Sequence, residues 1–317
     1  MSVYLLFLLG FIILLLGANL FVSGAINIAK KLNMPLILIG LTIVAFGTSA
    51  PELFVNIQAS FKNNPEIAFG NILGSNIFNI LFILGVVALI YPVLVKNETI
   101  KFEIPFNFIT SAGVLLFLFN FFITKRRYPL LSKFDGIVML FFFAIFCVFI
   151  VFNNRNKISD SEINIKIIKP FKIFVYIISG LIMLYIGSEL VITYSVKIAK
   201  LFGVSDRIIG ITIVASGTSL PELITSVISI VKKETNLALG NLLGSNIINT
   251  LFILGTSAVI NPIVLSNKVL LDLFFNIAGS FLVFLFVFTG KGRKIDRFEG
   301  GLLLLMYVFY LYLILIR

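Results

Sequence analysis

Ten apolar runs, each long enough to cross a lipid bilayer, dominate this sequence: 2–23, 36–60, 66–92, 103–123, 134–152, 171–195, 207–230, 237–262, 269–289 and 296–316. A membrane helix needs roughly 20 mostly apolar residues, and the joints between these runs are short. The chain is expected to fold as an all-α polytopic membrane protein with ten transmembrane helices. Composition agrees. Hydrophobic residues make up 59% and charged residues 12%, against about 45–50% and about 25% in soluble domains. Mean hydropathy is +1.11. Run 2–23 has no basic leader and no small-x-small cleavage pattern, so it is expected as a span and not as a signal peptide.

The chain repeats itself at a shift of 170 residues, and such self-similarity organises the whole fold. VAFGTSAPEL (44–53) falls on VASGTSLPEL (214–223), and GNILGSNIFNILFILG (70–85) on GNLLGSNIINTLFILG (240–255), identical at 13 of 16 positions. Ile28-Ala29-Lys30 matches Ile198-Ala199-Lys200, and Pro92 matches Pro262. Lys133-Phe134-Asp135-Gly136 resembles Arg297-Phe298-Glu299-Gly300. The expected organisation is a first five-helix repeat over 1–152, a short cytoplasmic linker over 153–170, and a second five-helix repeat over 171–317. Five is odd, so the second half enters the membrane from the other side and the repeats are inverted. Inverted repeats are typical of secondary transporters, with sites near mid-membrane at the repeat interface.

Charge narrows the function classes. The net charge of +11 lies in the joints between apolar runs, where it reads as membrane-surface loops and not as a nucleic-acid interface. Loops after odd-numbered spans, with their adjoining turns, carry 15 Lys and Arg against 10 on the other side. That bias places both termini outside the cytoplasm in a cell (inner or plasma) membrane, although Lys125, Arg126, Arg127 and Lys133 pull the other way. His is absent, which removes His metal ligands, His-based triads and His proton relays. The lone Cys147 sits in an apolar run, cannot form an intrachain disulfide and says nothing of compartment.

Two carboxylates lie where lipid should be. Glu52 and Glu222 are mid-span and equivalent in the repeat. A charge at the bilayer centre costs about 2.5–3.5 kcal/mol on insertion scales, and no Lys or Arg lies at that depth in any run. A cation or protons must neutralise them. Gly47 and Gly217 are expected to let the helix break. Pro51 and Pro221 lack an N–H and free the carbonyls of Gly47 and Gly217. Broken helices at membrane depth are tolerated only around a protein-lined or wet cavity. The freed carbonyls and the end of the first half-helix favour cations, and Thr48, Ser49, Thr218 and Ser219 add hydroxyls.

The second polar element of each half is GNxLGSNxxN. Ser75 and Asn79, like Ser245 and Asn249, are four apart and share a helix face. Gly70, Gly74, Gly240 and Gly244 are expected to permit close approach of a neighbouring helix. Together these elements supply two carboxylates, two amide oxygens, hydroxyls and carbonyls, an all-oxygen site of formal charge −2. Hard cations such as Ca²⁺ take 6–8 oxygens at about 2.3–2.6 Å, whereas softer metals prefer Cys or His.

These two blocks resemble the α-repeats of the cation/Ca²⁺ antiporter superfamily, in its prokaryotic sodium/calcium exchanger-like branch, over nearly the whole chain. The resemblance implies ten helices, with Glu52 and Glu222 as central ligands for Ca²⁺ and competing Na⁺. It adds the carbonyls of Ala45, Thr48, Ala215 and Thr218, the hydroxyls of Ser49, Ser75, Ser219 and Ser245, and Asn79 and Asn249. It also implies that the first and sixth helices slide across the other eight. One departure stands out. Well-studied sodium-coupled members usually carry Asp at one of the positions that are Asn79 and Asn249 here. Asn at both occurs also in proton-coupled relatives, which leaves Na⁺ and H⁺ open and speaks against potassium dependence.

The resulting expectation is a secondary antiporter, not an enzyme, exchanging Ca²⁺ for Na⁺ by alternating access, with Ca²⁺/H⁺ exchange as the alternative. No cofactor and no nucleic-acid partner is expected. Lipid and the transported ions are the partners, and a monomer is expected to suffice. A cation channel could use the same ligands but would conduct without a counter-ion. A membrane enzyme would need paired Asp, a His motif or a nucleophile with its base, and the five Asp residues fall mostly in loops or at span ends. Glu189, at the position matching Asn19, is expected to tune the sliding helix or to meet a neighbour or the interface. Asp135, Asp296 and Glu299 are expected as helix-start caps.

Overall fold

The computed structural model describes residues 2–124, 129–154, 169–203, 215–265, 269–289 and 293–316. In chain order the elements are α1 (Ser2–Leu32), α2 (Leu36–Thr48), α3 (Ala50–Phe61), α4 (Pro65–Ile90), β1 (Val93–Leu94), α5 (Asn97–Lys101), α6 (Glu103–Thr124), β2 (Leu130–Leu131) and α7 (Lys133–Asn154). The second half holds α8 (Pro170–Leu201), α9 (Ala215–Gly217), α10 (Leu220–Val231), α11 (Thr235–Ile260), β3 (Ile263–Val264), α12 (Val269–Phe286), β4 (Lys294–Ile295) and α13 (Arg297–Ile316).

Among the described residues, seven helices are long and apolar enough to cross a membrane, or eight if the bent α2–α3 pair is one span. The sequence leads one to expect ten. The fourth run is the 22-residue helix α6. The seventh run is met only in part, as α9 and the 12-residue α10, because residues 204–214 lie outside the described residues. So do 155–168, most of the expected linker.

Two helices form the centre. α4 and α11 are buried along most of their length, as a core helix between other helices must be. Each changes to a wider π turn at the same place, Phe78–Ile83 and Ile248–Ile253. Such π stretches are rare and frequent at functional sites. Two short antiparallel ribbons tie the halves together, with Val93 opposite Ile295 and Leu131 opposite Ile263.

α1 and α8 pack against each other along one glycine-lined seam. A Cβ on Gly180 would lie 2.7 Å from the Phe21 nitrogen and 2.9 Å from the Gly17 carbonyl. One on Gly187 would lie 2.7 Å from the Leu14 nitrogen and 3.0 Å from the Gly10 carbonyl. Small residues that let backbones approach are how helices associate where no hydrophobic drive exists between them. The expected caps are present. Ser132 and Asp135 exchange hydrogen bonds at the start of α7, as Asp296 and Glu299 do at the start of α13, which satisfies orphan N–H groups of the first turn.

Candidate functional site

The bent helix positions the first carboxylate. α2 and α3 meet at 48° around Ser49, whose ψ of 7° leaves the helical range. Pro51 then sits in the first turn of α3, where its missing N–H costs nothing. Ser219 takes the same place in the second half, with ψ of 10°, and Pro221 follows in the first turn of α10. Gly47 keeps helical geometry. Its missing Cβ serves packing instead, because a Cβ there would lie 2.6 Å from Leu181 and 2.8 Å from Phe21. At Gly217 a Cβ would meet Ile192 at 2.6 Å. Both glycines therefore admit a side chain of α8 against the break.

Glu52 and Glu222 are fully buried, and each is held by one serine of its own half and one of the other. Ser219 Oγ donates to Glu52 Oε1 at 3.0 Å and Ser75 Oγ at 3.2 Å. Ser49 Oγ donates to Glu222 Oε1 at 3.0 Å and Ser245 Oγ at 3.4 Å. The second carboxylate oxygen of both residues, Oε2, is buried with no donor.

Asn79 and Asn249 lie inside the π turns of α4 and α11 and are fully buried. Asn79 Nδ2 donates to Asn246 Oδ1 at 3.0 Å, and Asn249 Nδ2 to Asn76 Oδ1 at 3.1 Å. With the nitrogens tied across the repeat, Oδ1 of each is the free end, and both oxygens are buried without a donor. Four buried oxygens, from two carboxylates and two amides, are thus left as acceptors. No group of three or more His, Cys, Asp or Glu gathers among the described residues, so the formal charge of this centre comes from two glutamates.

Other expected residues take supporting places. The Thr48 hydroxyl lies 3.1 Å from Asn241 Oδ1 and 3.1 Å from the Val44 carbonyl. Thr218 Oγ1 lies 3.4 Å from Asn71 Oδ1. The Ala45 carbonyl accepts the Ser49 N–H at 2.9 Å, and Ala215 opens α9. Gly240 and Gly244 face α2 closely, where Cβ atoms would lie 2.5 Å from the Ile37 carbonyl and 2.7 Å from the Leu41 carbonyl. At Gly70 and Gly74 a Cβ would meet nothing within 4 Å. The positions that the 170-residue shift places against them, 207–211, lie outside the described residues.

Sequence reasoning passed over the groups that hold these expected residues in place. Asn76 and Asn246 hold Asn249 and Asn79. Asn71 Nδ2 donates to Asn56 Oδ1 at 2.8 Å, and its counterpart Asn241 donates to Ser226 Oγ at 3.1 Å. A signal existed, because Asn71 and Asn76 recur as Asn241 and Asn246 inside the best-matched block.

Long apolar helices around a buried, acceptor-rich centre shared by two similar halves define a helical membrane protein of the carrier class. The family described as sodium/calcium exchanger protein matches residues 2–152 and 172–316, and the chain belongs to it. It is 38% identical over 316 residues to the putative antiporter CaxA of Alkalimonas amylolytica, covering 97% of both. It is 34% identical over 349 aligned residues to the sodium/calcium exchanger MaX1 of Methanosarcina acetivorans, again covering 97% of both. A solved structure of the sodium-calcium exchanger NCX_Mj, soaked with Na⁺ and Ca²⁺, superposes with a TM-score of 0.81 at 32% identity, over 98% of this chain and 97% of that one.

Proposed function

We propose that this chain exchanges Ca²⁺ for Na⁺ across a membrane, with Glu52 and Glu222 as the central ligands. The observation that carries the reading is the set of four buried oxygens without donors, Oε2 of Glu52 and Glu222 and Oδ1 of Asn79 and Asn249. A buried acceptor left unsatisfied costs about 1–3 kcal/mol, and more when charged. Acceptors alone are satisfied by a cation. Carboxylates and amide carbonyls are the hard oxygens that Ca²⁺ takes. The carbonyls of Ala45, Thr48, Ala215 and Thr218 and the hydroxyls of Ser49, Ser75, Ser219 and Ser245 complete the proposed shell around the breaks at Gly47–Pro51 and Gly217–Pro221.

The frame for this reading is ten spans in two inverted repeats, 1–152 and 171–317, joined by a cytoplasmic linker over 153–170. Both termini lie outside a cell membrane, and one chain suffices. An unpaired buried charge is costly, so the empty site of charge −2 crosses slowly and the loaded site readily. That difference enforces exchange, since Ca²⁺ leaves only as another cation replaces it. The reciprocal serine contacts across the repeat support one site that both halves close upon.

A second reading, Ca²⁺/H⁺ exchange, is favoured by the neutral amides at both Asn79 and Asn249, which leave the two glutamates as the acidic groups able to carry protons at the centre. Uptake of ⁴⁵Ca into proteoliposomes, driven separately by an outward Na⁺ gradient and an outward H⁺ gradient, decides between them. Uptake driven by Na⁺ alone supports the first reading and uptake driven by H⁺ alone the second. Uptake with no counter-ion gradient and at channel rates overturns both.

A further inference from the structure

A second buried polar group lies away from the centre, between α6 and α12. A shift of 169 residues sets Glu103, Phe106, Asn107 and Ser111 on Asp272, Phe275, Asn276 and Ser280. In each helix the acid, amide and hydroxyl are spaced i, i+4 and i+8, which puts them in one row on one face. The rows meet. Ser111 Oγ and Ser280 Oγ are 3.1 Å apart, and Asn107 Nδ2 donates to Ser280 Oγ at 3.4 Å. Asn107, Ser111, Asn276 and Ser280 are each only 1% exposed. Toward one end, Asp272 Oδ1 accepts the Tyr310 hydroxyl at 3.0 Å.

The unsatisfied atoms here differ in kind from those of the centre. Asn107 Oδ1 and Asn276 Oδ1 are acceptors, but Asn276 Nδ2 is a donor, and all three are buried without a partner. A cation can answer only acceptors, and an anion only donors. We propose that the α6–α12 seam is a binding site for water, a neutral dipole that donates and accepts at once. Buried waters typically make about three hydrogen bonds to otherwise unsatisfied polar groups, and this seam offers three such atoms beside two hydroxyls. The amides of Asn107 and Asn276 are then the ligands of an ordered water inside the membrane.

A crystal structure of the detergent-solubilised protein at a resolution that shows ordered water tests this. Water density is expected between Asn107 and Asn276, within hydrogen-bond distance of Asn107 Oδ1 and Asn276 Nδ2. Asn276→Leu is expected to remove it. A seam without water density in the unaltered protein, where ordered waters are seen elsewhere, overturns the proposal, and that observation needs no variant to fold.

A different observation carries a second inference, which rests on the alternating-access reading. Lys232, half-buried in the turn after α10, donates to Ser23 Oγ at 2.7 Å and to the Asn19 carbonyl at 3.3 Å. It therefore fastens the end of α10 to α1. The 170-residue shift places Lys62, Glu189 and Thr193 at the mirror positions of Lys232, Asn19 and Ser23. Lys62 and Glu189 are both exposed here. When inverted repeats exchange conformations about a fixed site, contacts made by one half pass to the other. We infer that Lys62 engages Glu189 and Thr193 in the opposite state, as Lys232 engages Asn19 and Ser23 in this one. The two latches differ in strength, since a carboxylate makes a stronger, charge-assisted partner than a carbonyl.

A short reducible thiol crosslinker tests the pair in a Cys147→Ala background. Lys232→Cys with Ser23→Cys reports this state, and Lys62→Cys with Glu189→Cys the opposite one. Both pairs are expected to crosslink, each to arrest ⁴⁵Ca exchange and each to release it on reduction. With Lys62 intact, adding Glu189→Asn is expected to raise the yield of the Lys232→Cys/Ser23→Cys link at least twofold. Failure of the Lys62→Cys/Glu189→Cys link in protein that exchanges Ca²⁺ overturns the latch. Absence of exchange in the unaltered protein overturns the alternating-access reading instead.

Discussion

Ser219 donates to Glu52 at 3.0 Å across the boundary between the halves, and the same contact recurs with the halves exchanged, from Ser49 to Glu222 at 3.0 Å. Each glutamate thus has one oxygen fixed by its partner half and one turned free. A serine that moved with its half-helix would release the opposite carboxylate. On the alternating-access reading proposed above, closure of the two halves and preparation of these carboxylate oxygens are one event.

Glu52→Gln and Glu222→Gln each keep side-chain volume but put an N–H₂ where the free oxygen stands, and remove one charge. Each is expected to abolish ⁴⁵Ca flux while leaving membrane insertion and the detergent-solubilised monomer or oligomer peak unchanged. Near-normal flux in either variant removes the assignment of the site.

Acid should inhibit. The proposed ligands bind Ca²⁺ only when deprotonated, so protons compete for the same two carboxylates and the competition grows as pH falls. ⁴⁵Ca exchange at fixed gradients is expected to decline steadily from neutral to acid pH, and raising external Ca²⁺ is expected to shift the decline to lower pH. A flat profile over that range counts against carboxylate ligands.

The amides that orient ligands should matter nearly as much as the ligands. Asn246→Leu leaves the Asn79 nitrogen without its acceptor, so the amide loses the bond that fixes its oxygen as the free end. Losing a buried hydrogen bond of this kind costs about 1–3 kcal/mol, and 1.4 kcal/mol is tenfold in affinity. The concentration of Ca²⁺ that gives half-maximal exchange is expected to rise about tenfold, with the maximal rate less affected. An unchanged half-maximal concentration means that Asn246 does not orient Asn79.

Much of this was legible beforehand because the repeat marks polar positions twice. Glu52 and Glu222 stood out as charges inside apolar runs, and the two GTSxPE and GNxLGSN blocks brought their neighbours with them. What escaped was anything that depends on contacts across the chain. Periodicity cannot show that Asn76 holds Asn249, or that Ser219 reaches Glu52 and not its own half. Gly47 reads as a hinge from its place before a proline. Only packing reveals that its missing Cβ is where Leu181 and Phe21 fit. The row Glu103, Asn107, Ser111 escaped because its repeat is offset by 169 and not 170, so a fixed shift slides past it.

The glycine seam between α1 and α8 offers a test of packing alone. A Cβ on Gly180 would meet the Phe21 nitrogen at 2.7 Å and the Gly17 carbonyl at 2.9 Å, and backbone atoms cannot swing aside as a side chain can. Overpacking of this kind costs about 1–3 kcal/mol. Gly301 is the control, since a Cβ there meets nothing within 4 Å. Gly180→Ala is expected to lower the thermal midpoint of the detergent-solubilised protein by about 2–4 °C, on a scale of about 1.5 °C per kcal/mol for a chain of this length. Gly301→Ala is expected to leave it within a degree or so of the unaltered protein on the same scale. Equal midpoints for the two variants would show that α1 and α8 have room to separate without penalty. The close approach would then be a property of this one state and not a requirement of the fold.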